Sequence, residues 1–440
     1  MVRLSVLDLS PIAEGSTAAH SFRNSLSLAR LAERLGYERY WLAEHHGMPG
    51  IASAATAVLL SHIGSGTSTL RIGAGGIMLP NHSPLVIAEQ FGTLESLFPG
   101  RIDLGLGRAP GSDMQTARAL RRNLQSDSDE FPQDVLELMD YLSASPRQPV
   151  RAVPGTGLDI PIWILGSSLY GAQLAAMLGL PFAFASHFAP AQMMDAVAIY
   201  RERFQPSARL ARPHVMLGFN VFAADTDEQA QVVATSAQQA FINMRSGRPG
   251  KLPPPRPGYW QQLGAPEQSL LRNLLSCAAI GSPETVREQM RAFVEHTGAD
   301  ELMVAGQIFD HSARLRSYEI AMQAAQELNL ETAATAAAPA KAAARSSRSR
   351  TPSQSAPAGG VSTQMRATPS ASSSRSTAKS WWAALAASKG CWRQISELSG
   401  LGGWRLHRPM SAPAPSPFRA LLSRSRICPA SSSSSLAWGA

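Results

Sequence analysis

The chain has 440 residues, of which 44% are hydrophobic and 16% are charged, and its formal net charge is +8. The basic excess lies in the tail: residues 331–440 hold 14 Lys and Arg but 2 Asp and Glu, so residues 1–330 carry about −4 and the tail about +12. The overall basicity therefore does not indicate a nucleic-acid enzyme. The three cysteines suggest neither a disulfide framework nor a metal site, and the N-terminal apolar run is too short for a signal peptide, so we expect a cytoplasmic protein without a membrane span.

Apolar segments typical of strands alternate with amphipathic segments typical of helices along residues 1–330. Eight strands are predicted, at 4–10, 39–46, 70–80, 101–107, 161–168, 181–188, 213–225 and 301–309. The first helices are predicted at 25–37, 53–64 and 83–98. This alternation indicates an α/β protein with a parallel sheet that helices cover. Eight such strands favour a closed (β/α)8 TIM barrel over an open, doubly wound sheet.

Two long insertions interrupt the alternation, at 109–160 after the fourth strand and at 245–276 before the eighth. Long loops of this kind often carry binding residues, and substrate specificity in a barrel depends on them.

The composition changes abruptly after Leu330. Residues 331–440 are low-complexity sequence rich in Ala, Ser, Pro and Arg, which buries too little apolar surface to offset the entropy of folding. We expect one barrel domain at 1–330 and a disordered tail at 331–440. Five of the eight tryptophans lie in this tail, which makes RNA binding an alternative, but no RNA-binding signature accompanies them. An extension without a function is the favoured interpretation.

Small and polar residues collect where the predicted strands end, at the edge where barrels hold their active sites. They are Glu44-His45-His46 after strand two, Gly75-Gly76 in strand three, Gly107-Arg108 after strand four, Ser167-Ser168 after strand five and Ser186-His187 after strand six.

The serines after strand five have two interpretations. They either cap the helix that begins near Tyr170, or they bind a phosphate together with the free amides of that helix. Arg108, at the neighbouring strand end, supplies the charge that a phosphate dianion needs. The combination favours a phosphate site.

Other chemistry is disfavoured. A zinc site needs more ligands than the pair His45 and His46, whose side chains point to opposite faces of a strand and which have no cysteine or third clustered ligand beside them. The dinucleotide-binding motif that Gly105 and Gly107 begin fails because Pro110 occupies its third glycine position. No Gly-x-Ser-x-Gly motif of a serine hydrolase occurs. Taken alone, the histidine pair is explained more simply as a strand end than as a catalytic site.

Three blocks of sequence resemble the luciferase-like flavin-dependent monooxygenase family, in particular its bacterial YhbW-type subgroup. They are WLAEHHG, AGGIMLPNHSPLVIAEQFGTLESLFPGRIDLGLGRAPG and LGSSLYGAQLAAMLGLPFAFASHFAP. The resemblance extends from about residue 3 to residue 329 and leaves the tail outside.

The resemblance implies a barrel that binds FMN. By position, it implies that the phosphate binds to Arg108, Ser167, Ser168, Leu169 and Tyr170. It also implies a cis peptide between Gly75 and Gly76 beneath the isoalloxazine, Glu44 next to the flavin ring, and His45 as the active-site base. Luciferase has a reactive cysteine where this chain has Gly107, so light emission and aldehyde specificity are in doubt.

The activity that the resemblance implies is oxygenation of a small organic substrate by O2 and reduced FMN. We expect a separate flavin reductase, because the barrel has no nicotinamide-binding motif, and we expect no metal and no nucleic-acid partner. Relatives in the family are often homodimers. Three alternatives stay open: a deazaflavin-dependent oxidoreductase on the same fold, a non-catalytic FMN-binding protein, and a protein whose functional part is the basic tail.

Overall fold

The computed structural model describes residues 2–108, 116, 119–120 and 130–348, with side chains up to residue 331. The predicted barrel is confirmed, with helices outside a parallel sheet. The strands are β1 (Arg3–Asp8), β2 (Arg39–Leu42), β3 (Arg71–Met78), β4 (Ile102–Gly107), β5 (Ile162–Gly166), β6 (Phe182–Phe184), β7 (Val215–Ala223), β8 (Ala278–Gly281) and β9 (Glu301–Ala305). Because β1 pairs with β2 and β9, and β7 pairs with β6 and β9, eight strands close the ring.

The ninth strand, β8, was not predicted. It pairs in parallel with the end of β7, from Asn220 opposite Ala278 to Ala223 opposite Gly281. The earlier residues of β7 pair with β9 inside the barrel. β7 therefore extends past the barrel wall and carries β8 on its free edge. The four residues Ala-Ala-Ile-Gly are too short to show a strand period.

The helices cover the outside of the barrel, and their ends follow local sequence. They are α1 (Ala18–Leu35), α2 (Thr56–Ser65), α3 (Pro84–Leu97), α4 (Phe131–Tyr141), α5 (Leu169–Leu178), α6 (Met193–Arg203), α7 (Asp227–Arg245), α8 (Tyr259–Gln262), α9 (Ala265–Leu274), α10 (Pro283–Thr297) and α11 (His311–Arg348). The Thr17 and Thr226 hydroxyls cap α1 and α7 by accepting from amides of the first turn. Gly36, Gly179 and Gly298 end α1, α5 and α10 in the left-handed conformation that glycine adopts without strain. No helix of the described residues is long and apolar enough to cross a membrane.

The last helix passes the boundary that composition indicated. α11 begins at His311 and continues beyond Leu330 to Arg348. The rest of the predicted tail, 349–440, lies outside the described residues. The domain boundary and the disorder of the tail stay predictions.

The two insertions lie on the side of the barrel where the strands end. In the first, most residues between 109 and 129 lie outside the described residues, and α4 follows them. The second contains α8 and α9 and begins with a segment that is hydrogen-bonded to the loop after β1. There the Leu252 amide donates to Ile12 O at 2.8 Å, and the Glu14 amide donates to Leu252 O at 2.9 Å. This segment contributes Gly250 and Leu252 to the lining of a cavity at this end of the barrel.

At the opposite end, where the strands begin, buried charges close the barrel. Arg39 donates to Glu301 Oε1 and to Asp103 Oδ2, both at 2.7 Å, and Arg71 Nη2 lies 2.6 Å from Asp103 Oδ1. His214 Nε2 lies 3.3 Å from Glu301 Oε2, and Ser5 donates to Glu301 Oε1. We call Arg39, Arg71, Asp103, His214 and Glu301 the N-terminal charge cluster. Its two carboxylates are wholly buried and hydrogen-bonded, which is the condition under which buried charge is tolerated.

Candidate functional site

A cavity of about 520 Å³ opens at the carboxyl ends of the strands, within the range of small-molecule and cofactor sites. Of the residues predicted from sequence, those that line it are Glu44, His45, Gly75, Gly76, Arg108, Ser167, Ser168 and Tyr170. Leu169, the first residue of α5, does not line the cavity. The fold therefore brings together residues from the ends of β2, β3, β4 and β5 that are far apart in sequence.

The turn from β5 into α5 has the geometry of an anion site. Ser168 is the N-cap of α5 with extended backbone, but its hydroxyl makes no capping hydrogen bond within the described part of the chain. The Ser168 side chain therefore does not cap the helix, and the partial positive charge of a helix N-terminus favours an anion. The structure favours the phosphate interpretation of these serines over the simple cap.

Arg108 lies beside this turn. Its guanidinium carbon is 4.1 Å from the centroid of the Tyr170 ring, so the aromatic face orients it. Among the residues that the structure describes, no acidic side chain forms an ion pair with Arg108. A cation without a counter-ion next to an uncapped helix N-terminus is suited to bind a phosphate dianion.

The peptide bond between Gly75 and Gly76 is cis, as predicted from the resemblance. It lies in β3, where the register with β4 shifts between Ala74 and Ile77. Both positions require glycine because of their neighbours in the barrel. A Cβ at Gly75 would lie 2.9 Å from Leu7 Cδ1, and a Cβ at Gly76 would lie 2.8 Å from Gly105 O. Packing inside the protein therefore excludes a side chain at either position.

His45 lines the cavity in the segment that follows β2. Its amide donates to Ser53 O at 3.3 Å, but its buried Nδ1 has no hydrogen-bond partner among the described residues. Burial lowers the pKa of His45, the neighbouring Glu44 carboxylate opposes this effect, and His46 adds to it. The imidazole is therefore neutral near pH 7 and can accept a proton.

Glu44 holds two histidines. Its Oε1 lies 2.8 Å from both His46 Nε2 and His82 Nε2, and its Oε2 accepts from the Met78 amide at 3.0 Å. Burial raises the pKa of this carboxyl, but the hydrogen bonds from His82, His46 and Met78 more than compensate and keep it below its ordinary value. The carboxylate is therefore ionised, and it ties the end of β2 to the residues that follow the cis peptide.

The expectation that no third ligand accompanies the histidine pair was wrong. One ligand atom each from Glu44, His46 and His82 lies within 4.8 Å of the others. His82 lies after β3, 36 positions from His46 in sequence, and local spacing gives no sign of their contact. The hydrogen bonds described above satisfy the three side chains as a network, and the prediction that the site holds no metal stays a prediction.

Sequence reasoning assigned no role to a second histidine in the cavity. His187, after β6, lines the cavity together with Gly218 and Asn220 of β7. Burial, together with the nearby His45, lowers the pKa of His187 to about 4. The strand-end position of His187 was visible in the sequence, but its contact with β7 depends on the closed barrel.

Comparisons with known proteins place the chain among named relatives. The profile of the luciferase-like monooxygenase family matches residues 2–301. A protein of Escherichia coli strain K12 named luciferase-like monooxygenase is 56% identical over 328 residues, which cover 74% of this chain and 98% of that protein. The crystal structure of apo-MsnO8 is 36% identical, with a TM-score of 0.67, and the match covers 74% of this chain and 99% of MsnO8.

More distant structures share the fold alone. A type II Baeyer–Villiger monooxygenase in complex with FMN is 17% identical with a TM-score of 0.57, over 73% of this chain and 96% of that one. An F420-dependent secondary alcohol dehydrogenase in complex with an F420-acetone adduct is 14% identical with a TM-score of 0.53, over 73% of this chain and 98% of that one. One of these two structures with the same fold thus holds FMN, and the other holds an F420 adduct.

Proposed function

The chain belongs to the luciferase-like monooxygenase family, and from this premise we propose that it oxygenates a small organic substrate with reduced FMN and O2. The observation that carries the choice of FMN is the pairing of two features at one edge of a cavity lined by the cis peptide. These are the α5 N-terminus, which lacks a side-chain cap, and Arg108, which forms no ion pair with any described residue. A flavin mononucleotide has a phosphate for these two features and a planar ring for the cis peptide.

The residues present fit this cofactor. Arg108 and the turn Ser167-Ser168 would bind the phosphate, with the first amides of α5, including those of Leu169 and Tyr170. The backbone of Gly75 and Gly76 would support the ring, and the Glu44 hydrogen bonds would hold that backbone in place through the Met78 amide. Bound reduced FMN would supply the electrons that activate O2.

The chain itself would position the reactants, exclude water and handle one proton. The segment around Leu252 lines the cavity and would limit the access of water. His45 is neutral near pH 7, and its buried Nδ1 has no partner among the described residues, so Nε2 is the ring atom that would exchange a proton with a molecule in the cavity. We further propose that a separate flavin reductase supplies the reduced cofactor in the cytoplasm, where the protein acts as a homodimer.

One alternative rests on a specific observation. The F420-dependent alcohol dehydrogenase has the same fold, so a deazaflavin would be placed in an equivalent cavity and would transfer a hydride without O2. A protein that binds FMN without turnover is the other alternative, because the phosphate site by itself requires no reaction.

Titration and oxygen uptake separate these functions. The full-length protein is titrated with FMN, riboflavin and F420 while flavin fluorescence is recorded, and O2 consumption is then followed with reduced FMN and a panel of small substrates. Tight binding of FMN and substrate-dependent O2 consumption with formation of an oxygenated product support the proposal. Preference for F420 with no O2 uptake would replace it with hydride transfer, and FMN binding without turnover on any substrate would favour a binding protein.

A further inference from the structure

The loop after β6 is fixed to β7 by two hydrogen bonds, one buried and one partly buried. Ser186 Oγ donates to Gly218 O at 2.7 Å, and Asn220 Nδ2 donates to His187 O at 2.6 Å. The ring of His187 also packs edge-on against the ring of Phe188, with centroids 5.1 Å apart. These contacts hold Ser186 and the backbone of His187 against β7, so the His187 imidazole has a fixed position in the cavity wall.

Gly218 makes room for this imidazole. A Cβ at position 218 would overlap His187 Nδ1. Nδ1 is buried and has no hydrogen-bond partner among the described residues. A buried N–H without an acceptor is the rarer kind of unsatisfied group, so we assign the ring proton to Nε2 and a lone pair to Nδ1. Nε2 is then a hydrogen-bond donor directed away from Gly218.

The surroundings favour an uncharged ligand. Among the described residues that line the cavity, the charged ones are Glu44 and Arg108. The Glu44 carboxylate is occupied by His46, His82 and the Met78 amide. Arg108 lies by the phosphate site. His187 is itself neutral above pH 4, since its pKa is about 4. Among the described residues that line the cavity, no further charged side chain is therefore present to pair with a charged substrate.

Much of the wall around His187 is apolar. Phe188, Met216, Phe222, Met303 and Ala305 line the same cavity, from the loop after β6 and from β7 and β9. The side-chain amide of Asn220 also lines it, but this amide is occupied by His187 O. A neutral donor within a mostly apolar wall is the arrangement by which such pockets fix the orientation of a ligand.

We propose that His187, positioned by Gly218 and Asn220, binds the substrate by donating a hydrogen bond from Nε2 to an uncharged acceptor such as a carbonyl oxygen. The rest of the substrate is apolar and lies against Phe188, Met216 and Phe222. This inference rests on the proposed function, because it takes the cavity to be the place where the substrate binds.

Three small probes of similar size test the proposal by calorimetric titration of the FMN-saturated, full-length protein. Octan-2-one has a carbonyl acceptor, 2-methyloct-1-ene has a methylene group in place of that oxygen, and octanoate is charged. We expect the ketone to bind roughly 5- to 10-fold more tightly than the alkene, as for one neutral hydrogen bond, and octanoate to bind more weakly than the ketone. Equal affinity for ketone and alkene, or preference for octanoate, overturns the proposal.

Two independent variants locate the donor. His187→Phe keeps a ring but removes the N–H, and Gly218→Ala keeps the histidine but displaces its ring. Both should reduce the preference for ketone over alkene to about one. Gly250→Ala is the matched control, because a Cβ at this cavity-lining glycine has no atom within 4 Å. It should keep the wild-type preference. A preference that survives in both His187→Phe and Gly218→Ala overturns the proposal.

Titration of each variant with FMN separates this inference from the proposed function. If wild-type protein binds FMN but shows no preference for the ketone, the inference about His187 fails and the proposed function stands. If FMN does not bind, the proposed function fails. The same probes on the FMN-free protein then decide whether His187 selects an acceptor.

Discussion

The two ends of the barrel differ in whether their charged and polar side chains have partners within the protein. Where the strands begin, each member of the N-terminal charge cluster has an ionic or hydrogen-bonded partner, and the carboxylates of Asp103 and Glu301 are wholly buried. Where the strands end, Arg108 has no ion pair, and the imidazoles of His45 and His187 have buried nitrogens without a partner in the described part of the chain. At the first end the charged groups thus satisfy each other, whereas the second end, beside the Glu44 network, has polar groups without a partner among the described residues.

The difference indicates what each end contributes. A buried charge with its partner in place supports the folded state only as a set, since removal of one member leaves the other uncompensated. A polar group without a partner costs folding free energy and is useful only if a ligand pairs with it. We therefore expect substitutions at the first end to change stability, and substitutions at the second end to change binding and reaction.

The largest effect is expected from Glu301→Ala. Glu301 accepts from Arg39 at 2.7 Å, and its removal leaves the Arg39 guanidinium, which is 7% exposed, with one partner fewer. We expect a loss of about 3–5 kcal/mol in the free energy of unfolding, measured by urea denaturation. Glu38→Ala is the control, since Glu38 is 36% exposed and lies 3.9 Å from the same arginine. It should cost no more than about 1 kcal/mol. Equal losses in the two variants would contradict a special role for the buried cluster.

Glu301 also gives stability a defined pH dependence. Burial raises the pKa of this carboxyl, but His214, Arg39 and Ser5 together lower it from 4.5 to about 2. Because the folded-state pKa is the lower one, this stabilisation is complete above pH 4.5 and is lost as the pH falls from 4.5 towards 2. The loss amounts to roughly 3 kcal/mol over that window.

Melting temperatures between pH 7 and pH 2.5 test this dependence. Glu301→Gln cannot titrate and should show a shallower decline below pH 4.5 than the wild-type protein. The decline should not vanish, because the pKa of the buried Asp8 is also lowered. Glu38→Gln serves as the control with the wild-type slope. A wild-type slope in Glu301→Gln would mean that this carboxyl does not titrate in the window.

The two ends also differ in how far the sequence predicts them. The cavity residues at the carboxyl ends of the strands could be predicted from the sequence. Each of them lies at or just after the end of an apolar strand, and the ends of parallel strands meet at one edge of the barrel. The resemblance added the cis peptide between Gly75 and Gly76, which the structure confirms. Arg108 and Ser168 lie together as expected, because β4 and β5 are neighbours in the sheet.

Contacts between side chains of distant strands could not be predicted from local sequence patterns. Arg39 and Glu301 are the first residues of β2 and β9, and no period in the sequence pairs them. His82 reaches Glu44 from another strand end, and His187 fits only because position 218 of β7 is glycine. Such pairs depend on the register between strands that are distant in the chain. Composition and residue spacing do not predict this register.

At the rim, His45→Ala should act on the reaction and leave cofactor binding nearly unchanged. The imidazole is neutral and faces the cavity, so its loss removes a proton acceptor. We expect substrate oxygenation to slow by ~10²-fold or more, with the dissociation constant of FMN within a few-fold of wild type. Product formation under saturating reduced FMN measures the rate. His62→Ala, at an exposed histidine of α2, is the control. Full activity in His45→Ala would leave this histidine as a structural residue.

Arg108→Ala should act on cofactor binding and not on stability. Losing a charge-assisted contact to a phosphate typically costs ~1.5–3 kcal/mol, or roughly 10- to 150-fold in affinity. FMN binding should weaken by this factor, whereas riboflavin, which has no phosphate, should bind as it does to the wild-type protein. Fluorescence titration with the two flavins measures both constants. Equal weakening of FMN and riboflavin would place the phosphate elsewhere.

The smallest effect is expected from removing everything after Leu330. This truncation tests whether residues 1–330 alone provide the stability and the FMN binding of the full-length protein. The contacts that such a chain loses include the pairs of Glu331 with Arg291 at 2.6 Å and with Arg287 at 3.7 Å. All three side chains are more than a quarter exposed, and surface pairs of this kind contribute about 0–1 kcal/mol. The truncated chain should therefore melt within a few degrees of the full-length protein and bind FMN with the same affinity, as differential scanning calorimetry and fluorescence titration would measure. A chain that ends at Arg348 is the control, because it keeps α11 whole. If the chain ending at Leu330 melts much lower while the longer one does not, the second half of α11 belongs to the barrel domain. If both melt much lower, residues after 348 stabilise the barrel, and the boundary after Leu330 is wrong.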